Sequence, residues 1–399
     1  MSCSVVQILR AMNNGTYLFR TLGGDVKLRN CDDGRLFYSV GNSAICFNFW
    51  HSDTWYSLKC YTSKSPYRRA IYGSKLLESE LYIPQHSDRG EWIDVVTERW
   101  IEGEALSKTL PQALREGNSE QIKALSVEFD KLALKLLDQE WAHGDISYDN
   151  IIVDTKGALH LIDFDAAFTP QLAGKESIEI GTKAYQHSTR NTTHFDRSID
   201  DYPLALISTT LSLLALDIST YTQYAADDGL LFDPLEIFEN RSESYNFALT
   251  TLSMSGEIFA YNIAKMLSSR DIKLPQLQYI MRYKVEGVHP TAEPTTIFSH
   301  NDLWGYLNKY GREVIPPLFD QALDFNDSFA AVKLGSAWHY IDSRAQIALN
   351  CSEYSALKSC RNGVGRAQQT NGEWIRLSLS SFEQKCPNEE AKVDHNAQE

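Results

Sequence analysis

Apolar and polar positions alternate, cluster and recur differently along this chain, and the changes mark out three stretches. Early on, Leu36-Phe37-Tyr38-Ser39-Val40 and Ile45-Cys46-Phe47-Asn48-Phe49 flank the turn Gly41-Asn42-Ser43-Ala44, and Trp55-Tyr56-Ser57-Leu58-Lys59-Cys60-Tyr61 follows. Their aromatic and apolar content predicts three strands. Next, Ile122, Leu125, Phe129, Leu132 and Leu136 keep helical spacing, with Asn118 and Gln121 placed as N-cap and reciprocal partner. Ile151-Ile152-Val153 and Ala158-Leu159-His160-Leu161-Ile162 predict a hairpin around Asp154-Thr155-Lys156-Gly157. Beyond Asp200-Asp201-Tyr202-Pro203, the residues Leu204, Leu206, Ile207, Leu211, Leu213, Leu214 and Leu216 fall on every side of a helix, which must then be buried. Further helices are expected over 230–284, with Phe259, Ile263, Met266 and Leu267 on one face, before a linker from Gly287 to Thr296.

Past the linker the pattern changes to short aromatic units. Trp304-Gly305-Tyr306-Leu307, Trp338-His339-Tyr340-Ile341-Asp342 and Trp374-Ile375-Arg376-Leu377 recur at intervals of 34 and 36 residues, each near Gly311, Gly335 or Gly372. A fixed interval of that size signals an array of small units. The array resembles the WG repeat, a short β-rich module, with Ala330-Ala331-Val332-Lys333 as a body strand and a third unit that is incomplete. The tryptophans read as core filling for units with little other core. The exposed face of such an array can take a protein partner.

The candidate chemistry lies in His143-Gly144-Asp145-Ile146-Ser147-Tyr148-Asp149-Asn150 and in Leu161-Ile162-Asp163-Phe164-Asp165, where Asp163 follows Asn150 by 13 residues. The predicted hairpin folds Asp163 back beside Asn150. Magnesium takes only one or two carboxylates from a protein, the rest from phosphates and water. Asn150 and Asp163 suit that sparse role, which leaves Asp145 to accept a proton from an attacking hydroxyl or hold it in line. Metal-assisted phosphoryl transfer needs this set of oxygen groups.

Residues 35 to 285 resemble the protein kinase family. The resemblance implies an α+β, two-lobed protein kinase-like fold carrying a small C-terminal β-rich repeat module. It implies ATP and Mg2+ as cofactors, with Asp145, Asn150 and Asp163 catalytic and Asn150 and Asp163 on the metal. Lys59 stands where the family's third-strand lysine reaches the α and β phosphates. Gly41 and Ala44 belong to the turn that covers them, in which Ser39 and Ala44 replace the outer two glycines. The backbone at Arg99, Trp100 and Ile101 is where adenine is expected, after Glu98 at the gatekeeper position. A helix over Ser65 to Glu80 is expected to supply Glu78 or Glu80 as partner of Lys59, and Asp201 to brace the catalytic loop. Gly181-Thr182-Lys183-Ala184-Tyr185-Gln186-His187 is similar to the close of an activation segment, without Ala-Pro-Glu.

The expected domains are an N-terminal extension at 1–34, the kinase-like domain at 35–286, the linker at 287–296, the repeat module at 297–385 and a polar tail at 386–399. The leading function is a serine/threonine protein kinase. A small-molecule kinase of the aminoglycoside phosphotransferase kind is the alternative, because Gly144 replaces the usual Arg and Asp165 the usual Gly. Ser147 replaces a usual Lys, removing one positive charge from the transferring phosphoryl. A pseudokinase scaffold is the third reading, disfavoured by the retention of Lys59, Asp145, Asn150 and Asp163 together.

Composition narrows the partners. A formal charge of −14 argues against nucleic acid, which rewards a basic face. The absence of a basic leader or an 18-residue apolar run predicts no membrane span and a cytoplasmic location. Seven cysteines without metal spacing predict free thiols. The expected acceptor is a protein substrate or a small-molecule hydroxyl.

Overall fold

The computed structural model describes residues 3–23, 26–41, 43–85, 90–226, 229–289 and 292–379. The expected polar tail, the end of the repeat module from 380 on, Asn42 of the first turn, and Pro290 and Thr291 of the linker lie outside them. The fold is α+β with a β-rich C-terminal region. Two compact units are distinguishable: Met1–Leu204 with Arg270–Pro275, and Ala205–Ser269 with Gln276–Glu399.

In the first unit, strands follow one another across an antiparallel sheet as Leu18–Phe19, Leu76–Pro84, Gly90–Arg99, Thr54–Tyr61, Ala44–His51 and Lys27–Leu28, with Tyr38–Val40 also on Ala44–His51. Pairing of Ala44–His51 with Thr54–Tyr61 is continuous and sets Cys46 opposite Lys59. The helix Val5–Asn14 and the strands Leu18–Phe19 and Lys27–Leu28, which fall within the stretch 1–34 expected as an extension, belong to this body. The helix Val5–Asn14 starts at a capping box between Ser4 and Gln7 and sets Ile8, Ala11 and Met12 against Phe47, Phe49 and Leu58. Each such buried side chain contributes about 1.5–3 kcal/mol.

The helix expected over 65–80 is much shorter. It runs Arg68–Tyr72 and ends at Gly73, whose φ of 54° an L side chain rarely adopts. Leu76–Pro84 is a strand instead, because Leu81, Tyr82 and Ile83 pair with Gly90–Arg99. A bulge between Leu77 and Leu81 interrupts that pairing and holds Ser79, with φ 51°, where its N–H reaches Asp94.

A second, three-stranded sheet pairs Gly103–Ala105 with Ile151–Asp154 and Ile151–Asp154 with Leu159–Leu161, the expected hairpin. Before it, the helix Ser119–Leu137 is capped by the Asn118 side chain, which accepts from the Gln121 N–H, and buries Ile122, Leu125 and Phe129. The helix Asp201–Leu216 buries Tyr202, Leu204, Leu206, Ile207, Leu211, Leu213 and Leu214, while Leu216 at its end is exposed. Arg197–Leu216 is long and apolar enough to cross a membrane, yet 89% of its apolar window is buried within the protein.

The second unit joins helices to the repeats. Three antiparallel groups follow in order: Pro294–His300, Leu303–Asn308 and Glu313–Phe319; Gln321–Ala322, Ala330–Leu334, Ala337–Ile341 and Ile347–Cys351; Ala356–Arg361, Val364–Gln368 and Trp374–Ser378. The first strand begins inside the segment expected as a linker. Tyr306 and Tyr340, both fully buried, stitch each group to the next: their hydroxyls donate to the carbonyls of Leu323 (2.9 Å) and Lys358 (2.6 Å). Trp304 lies on the middle strand of its group and Trp338 on the strand between Ala330–Leu334 and Ile347–Cys351, the same place once the short Gln321–Ala322 is set aside, but Trp374 lies on the last strand of its group, and its counterpart by position is Gly365. The third tryptophan therefore recurs at the right interval in the wrong place.

Helices Glu243–Ser255 and Ile258–Met266 are fastened to this array. Asn262 Nδ2 donates to the Leu318 carbonyl at 3.0 Å, Lys265 pairs with Asp320 at 2.7 Å, and His339 Nε2 meets the Ser253 carbonyl at 2.8 Å. Gly256, with φ 78°, lies against Ile347 and His339 where a β-carbon would collide.

Candidate active site

The loop between the helix Ser119–Leu137 and the strand Ile151–Asp154 is held from beneath by Asp200. Its carboxylate accepts from the N–H groups of His143 at 2.5 Å and Gly144 at 2.8 Å. The expected brace was Asp201, whose carboxylate instead accepts from the Leu274 N–H at 3.0 Å. The two residues are neighbours at the opening of one helix, and only Asp200 points at the loop. Burial pushes the Asp200 carboxyl above its ordinary range, with the His143 and Gly144 contacts offsetting part of the rise. His143 Nε2 meets the Ile162 carbonyl at 2.9 Å, which ties the loop to the chain entering Asp163.

Gly144 has φ 81°, and a β-carbon there would run into the Ala166 carbonyl. No side chain can stand at this position without moving the Ala166 backbone.

Asp145 is gripped on both oxygens. Asn150 Nδ2 donates to Oδ2 and to the Asp145 carbonyl, both at 2.9 Å, and the Thr182 N–H donates to Oδ1 at 2.5 Å. With both amide hydrogens of Asn150 committed, its amide oxygen is the atom left for a cation. Gly181, at φ 73°, lets the backbone come close enough for the Thr182 contact, because a side chain there would meet the Gly144 carbonyl and Asp145.

Lys59 reaches across to Asp163 at 2.5 Å and to Asp165 at 2.8 Å. It does not pair with either expected glutamate. Glu78 lies at the surface with Arg69, and Glu80 is buried, accepting from the N–H groups of Thr21 and Leu22 and from the Thr21 hydroxyl. Both stand on a strand rather than on a helix beside Lys59. The short helix contributes Tyr72, whose hydroxyl donates to Asp165 at 2.8 Å, alongside that of Tyr61 at 2.7 Å. Asp165, Tyr61 and Tyr72 are thus functional candidates that sequence reading did not place at the lysine.

Charge in this cluster is balanced against burial. Burial alone would lower the Lys59 ammonium, but Asp163 and Asp165 outweigh it and hold its pKa above the ordinary value. Burial would raise the Asp165 carboxyl, and Lys59 with the two tyrosine hydroxyls more than reverses this, leaving it below the ordinary range. Both tyrosine hydroxyls are pushed up, first by burial. Asp163 sits at φ 64°, a conformation uncommon for residues other than glycine and one that clusters at functional sites.

Lys59, Asp145, Asn150, Asp163 and Asp165 line one cleft of about 540 Å³, together with Gly41, Ala44, Cys46 and Glu179. The Gly41 N–H donates to the Ala44 carbonyl at 2.9 Å, closing a tight turn above Lys59. Burial and the nearby charges of Asp165 and Asp163 raise the Glu179 carboxyl. Arg99, Trp100 and Ile101 are not among the lining residues, and the Trp100 N–H is taken by the Trp55 carbonyl at 2.9 Å. Glu98 pairs with Lys75 at 2.7 Å.

Among the described residues no group of three or more His, Cys, Asp or Glu is arranged to hold a metal ion unaided. One carboxylate and one amide oxygen are still a fitting set for magnesium, which draws its other ligands from phosphate and water.

Residues 304–338 match the family described as WG containing repeat. No curated protein matches the chain.

Proposed function

We propose that the chain is an ATP- and magnesium-dependent phosphotransferase of two-lobed, protein kinase-like fold, acting on the hydroxyl of a protein serine or threonine. One observation carries this reading: Lys59 from the large sheet faces one cleft beneath the Gly41 turn with Asp145, Asn150 and Asp163 from the loop and hairpin. A structural role alone would not require all four.

In this reading Asp163 and the amide oxygen of Asn150 would hold magnesium, which supplies neutralisation of phosphate charge when bound. The remaining work belongs to the chain. Lys59 exchanges its carboxylate partners for phosphate oxygens, as a compact point charge on a flexible stem can do. Asp145 accepts the hydroxyl proton or orients that hydroxyl, and Asn150 and the Thr182 N–H fix where its oxygens point. Asp200 keeps the loop in register. With Gly144 in place of Arg, a phosphorylated loop has no usual partner, so control by loop phosphorylation is not expected.

A second reading, transfer to a small-molecule hydroxyl, is supported by Gly144 and by Asp165 as the lysine's second carboxylate. Incubation of the full-length protein with labelled ATP, magnesium and a cell extract separates the two by whether label lands on protein or metabolite. Mg-ATP at about 100 times its dissociation constant should add about 2.7 kcal/mol of stability. Asp163→Ala should lose the magnesium-dependent part. A melting temperature indifferent to saturating Mg-ATP would dispose of the nucleotide site.

A further inference from the structure

The last repeat carries charge that its own fold does not use. Lys358, Arg366 and Arg376 stand directly opposite one another on the adjacent strands Ala356–Arg361, Val364–Gln368 and Trp374–Ser378. All three are exposed, and with Arg361, Ser359 and Asn362 they line a groove of about 820 Å³. Like charges directly opposite on neighbouring strands are destabilising. Among the described residues none of the four cations has an ion-pair partner. The segment 356–378 holds these four against a single acid, Glu373, in a chain whose overall charge is −14. Glu373 is spent in its own turn, accepting from Asn371.

The frame behind the row is rigid. The Tyr340 hydroxyl donates to the Lys358 carbonyl at 2.6 Å and accepts from the Arg366 N–H at 3.1 Å, and its ring fills the space where a side chain at Gly365 would lie. Trp374 lies 4.3 Å beneath the Lys358 ammonium. The cations are therefore presented from a fixed backbone, which lowers the cost of ordering them on a ligand.

We propose that this groove binds a short acidic peptide segment bearing a phosphorylated side chain. Strands about 4.8 Å apart make the row about 10 Å long, enough for one phosphoryl group and a flanking carboxylate. Arginine's planar fork matches phosphate oxygens in pairs, and three of the four cations are arginines. A nucleic acid fits less well, since affinity for it grows with the number of phosphates neutralised, this row offers only four cations, and the net charge of −14 opposes a long polyanion. None of the exposed large apolar side chains among the described residues lines the groove, which disfavours a membrane surface. This site is independent of the cleft and of its proposed chemistry.

The test is fluorescence anisotropy of the full-length protein with a labelled peptide of about ten residues carrying one phosphoserine among glutamates, beside its unphosphorylated twin. The phosphorylated peptide should bind roughly tenfold tighter or better, and Arg366→Thr or Arg376→Gln should each weaken it roughly tenfold with no fall in melting temperature. Equal affinity for the two peptides, or binding untouched by both substitutions, overturns the proposal. So does tighter binding of a single-stranded oligonucleotide or of phosphatidylserine vesicles, or a melting temperature lowered by both substitutions, which would make the row structural.

Discussion

Two clusters of charge in this acidic chain are built on opposite principles. In the cleft, one lysine meets the carboxylates of Asp163 and Asp165, two tyrosine hydroxyls donate to Asp165, and the Asn150 amide donates to the neighbouring Asp145. On the last repeat, four cations share one face with no carboxylate among the described residues to answer them. The first cluster is matched internally, and in the proposed transfer it would have to give up partners. The second is costly alone and is relieved by whatever binds it. A satisfied network specifies a geometry, whereas an unsatisfied one specifies a ligand.

If the groove stands on a frame that folds as one, removal of that frame has the largest expected effect. Helices Glu243–Ser255 and Ile258–Met266 bury Leu252, Ile258 and Ile263 and bond to strands of the repeats. Deleting residues from 290 onward should leave these helices without their cover, at a cost beyond the roughly 5–15 kcal/mol that stabilises a typical domain. The expected outcome is aggregation in gel filtration and no cooperative melt. A monomeric fragment melting like the full chain would show that the repeats are an appendage, as the sequence alone suggested.

Within the cleft, Asp145→Asn tests whether the matched cluster is chemical. The substitution keeps an acceptor for the Thr182 N–H but removes the base, so turnover should fall roughly a hundred to ten thousand fold while nucleotide affinity stays near wild type. An unchanged rate would take Asp145 out of the mechanism.

Lys59→Met tests the matching itself. Removing one partner of a largely buried pair leaves Asp165 uncompensated and should cost about 3 kcal/mol at neutral pH. In the wild type the Asp165 carboxyl is held low, so the stability it adds is present above the ordinary carboxylate value of about 3.9 and is lost as pH falls through its folded value. Without Lys59 burial is opposed only by the Tyr61 and Tyr72 hydroxyls, so the carboxyl rises and the stability it adds at neutral pH shrinks. Denaturant midpoints between about pH 3 and pH 8 would show a deficit that shrinks in acid. A deficit of equal size across that range would mean that packing, not charge, is lost.

How much of this was legible beforehand follows from distance along the chain. Asp145, Asn150 and Asp163 sit on one loop and one hairpin, so their spacing places them together, and the hairpin formed as expected. The partner of Lys59 was misplaced because Leu81, Tyr82 and Ile83 drew the segment into the sheet, moving Glu78 and Glu80 off any helix. Asp165 and Tyr72 meet only in three dimensions, 93 residues apart, and no local pattern announces that. Choosing between Asp200 and Asp201 needed the phase of a single turn. The N-terminal helix carries a local signal, since Ser4 and Gln7 form a capping box ahead of Ile8 and Met12. Trp374 shows the converse: a recurrence at the right interval misled because Trp374 lies on the last strand of its group, while Gly365 stands where the earlier tryptophans do.

The smallest expected effect bears on the groove. If Lys358, Arg366 and Arg376 repel one another across their strands, Arg376→Thr should stabilise the protein by about 0.2–1 kcal/mol in dilute buffer, because threonine suits a strand and one like-charge contact is removed. The sign matters more than the size, since a surface substitution without such repulsion usually changes stability by less than about 0.5 kcal/mol in either direction. Salt supplies the control: at about 1 M the screening length falls to about 3 Å, the repulsion between neighbouring strands fades, and the gain should disappear. Thermal melts of both proteins at low and high salt measure this directly. A gain that survives high salt would assign the effect to strand propensity, and a loss at low salt would mean that the cations are already satisfied, which would erase the contrast with the cleft.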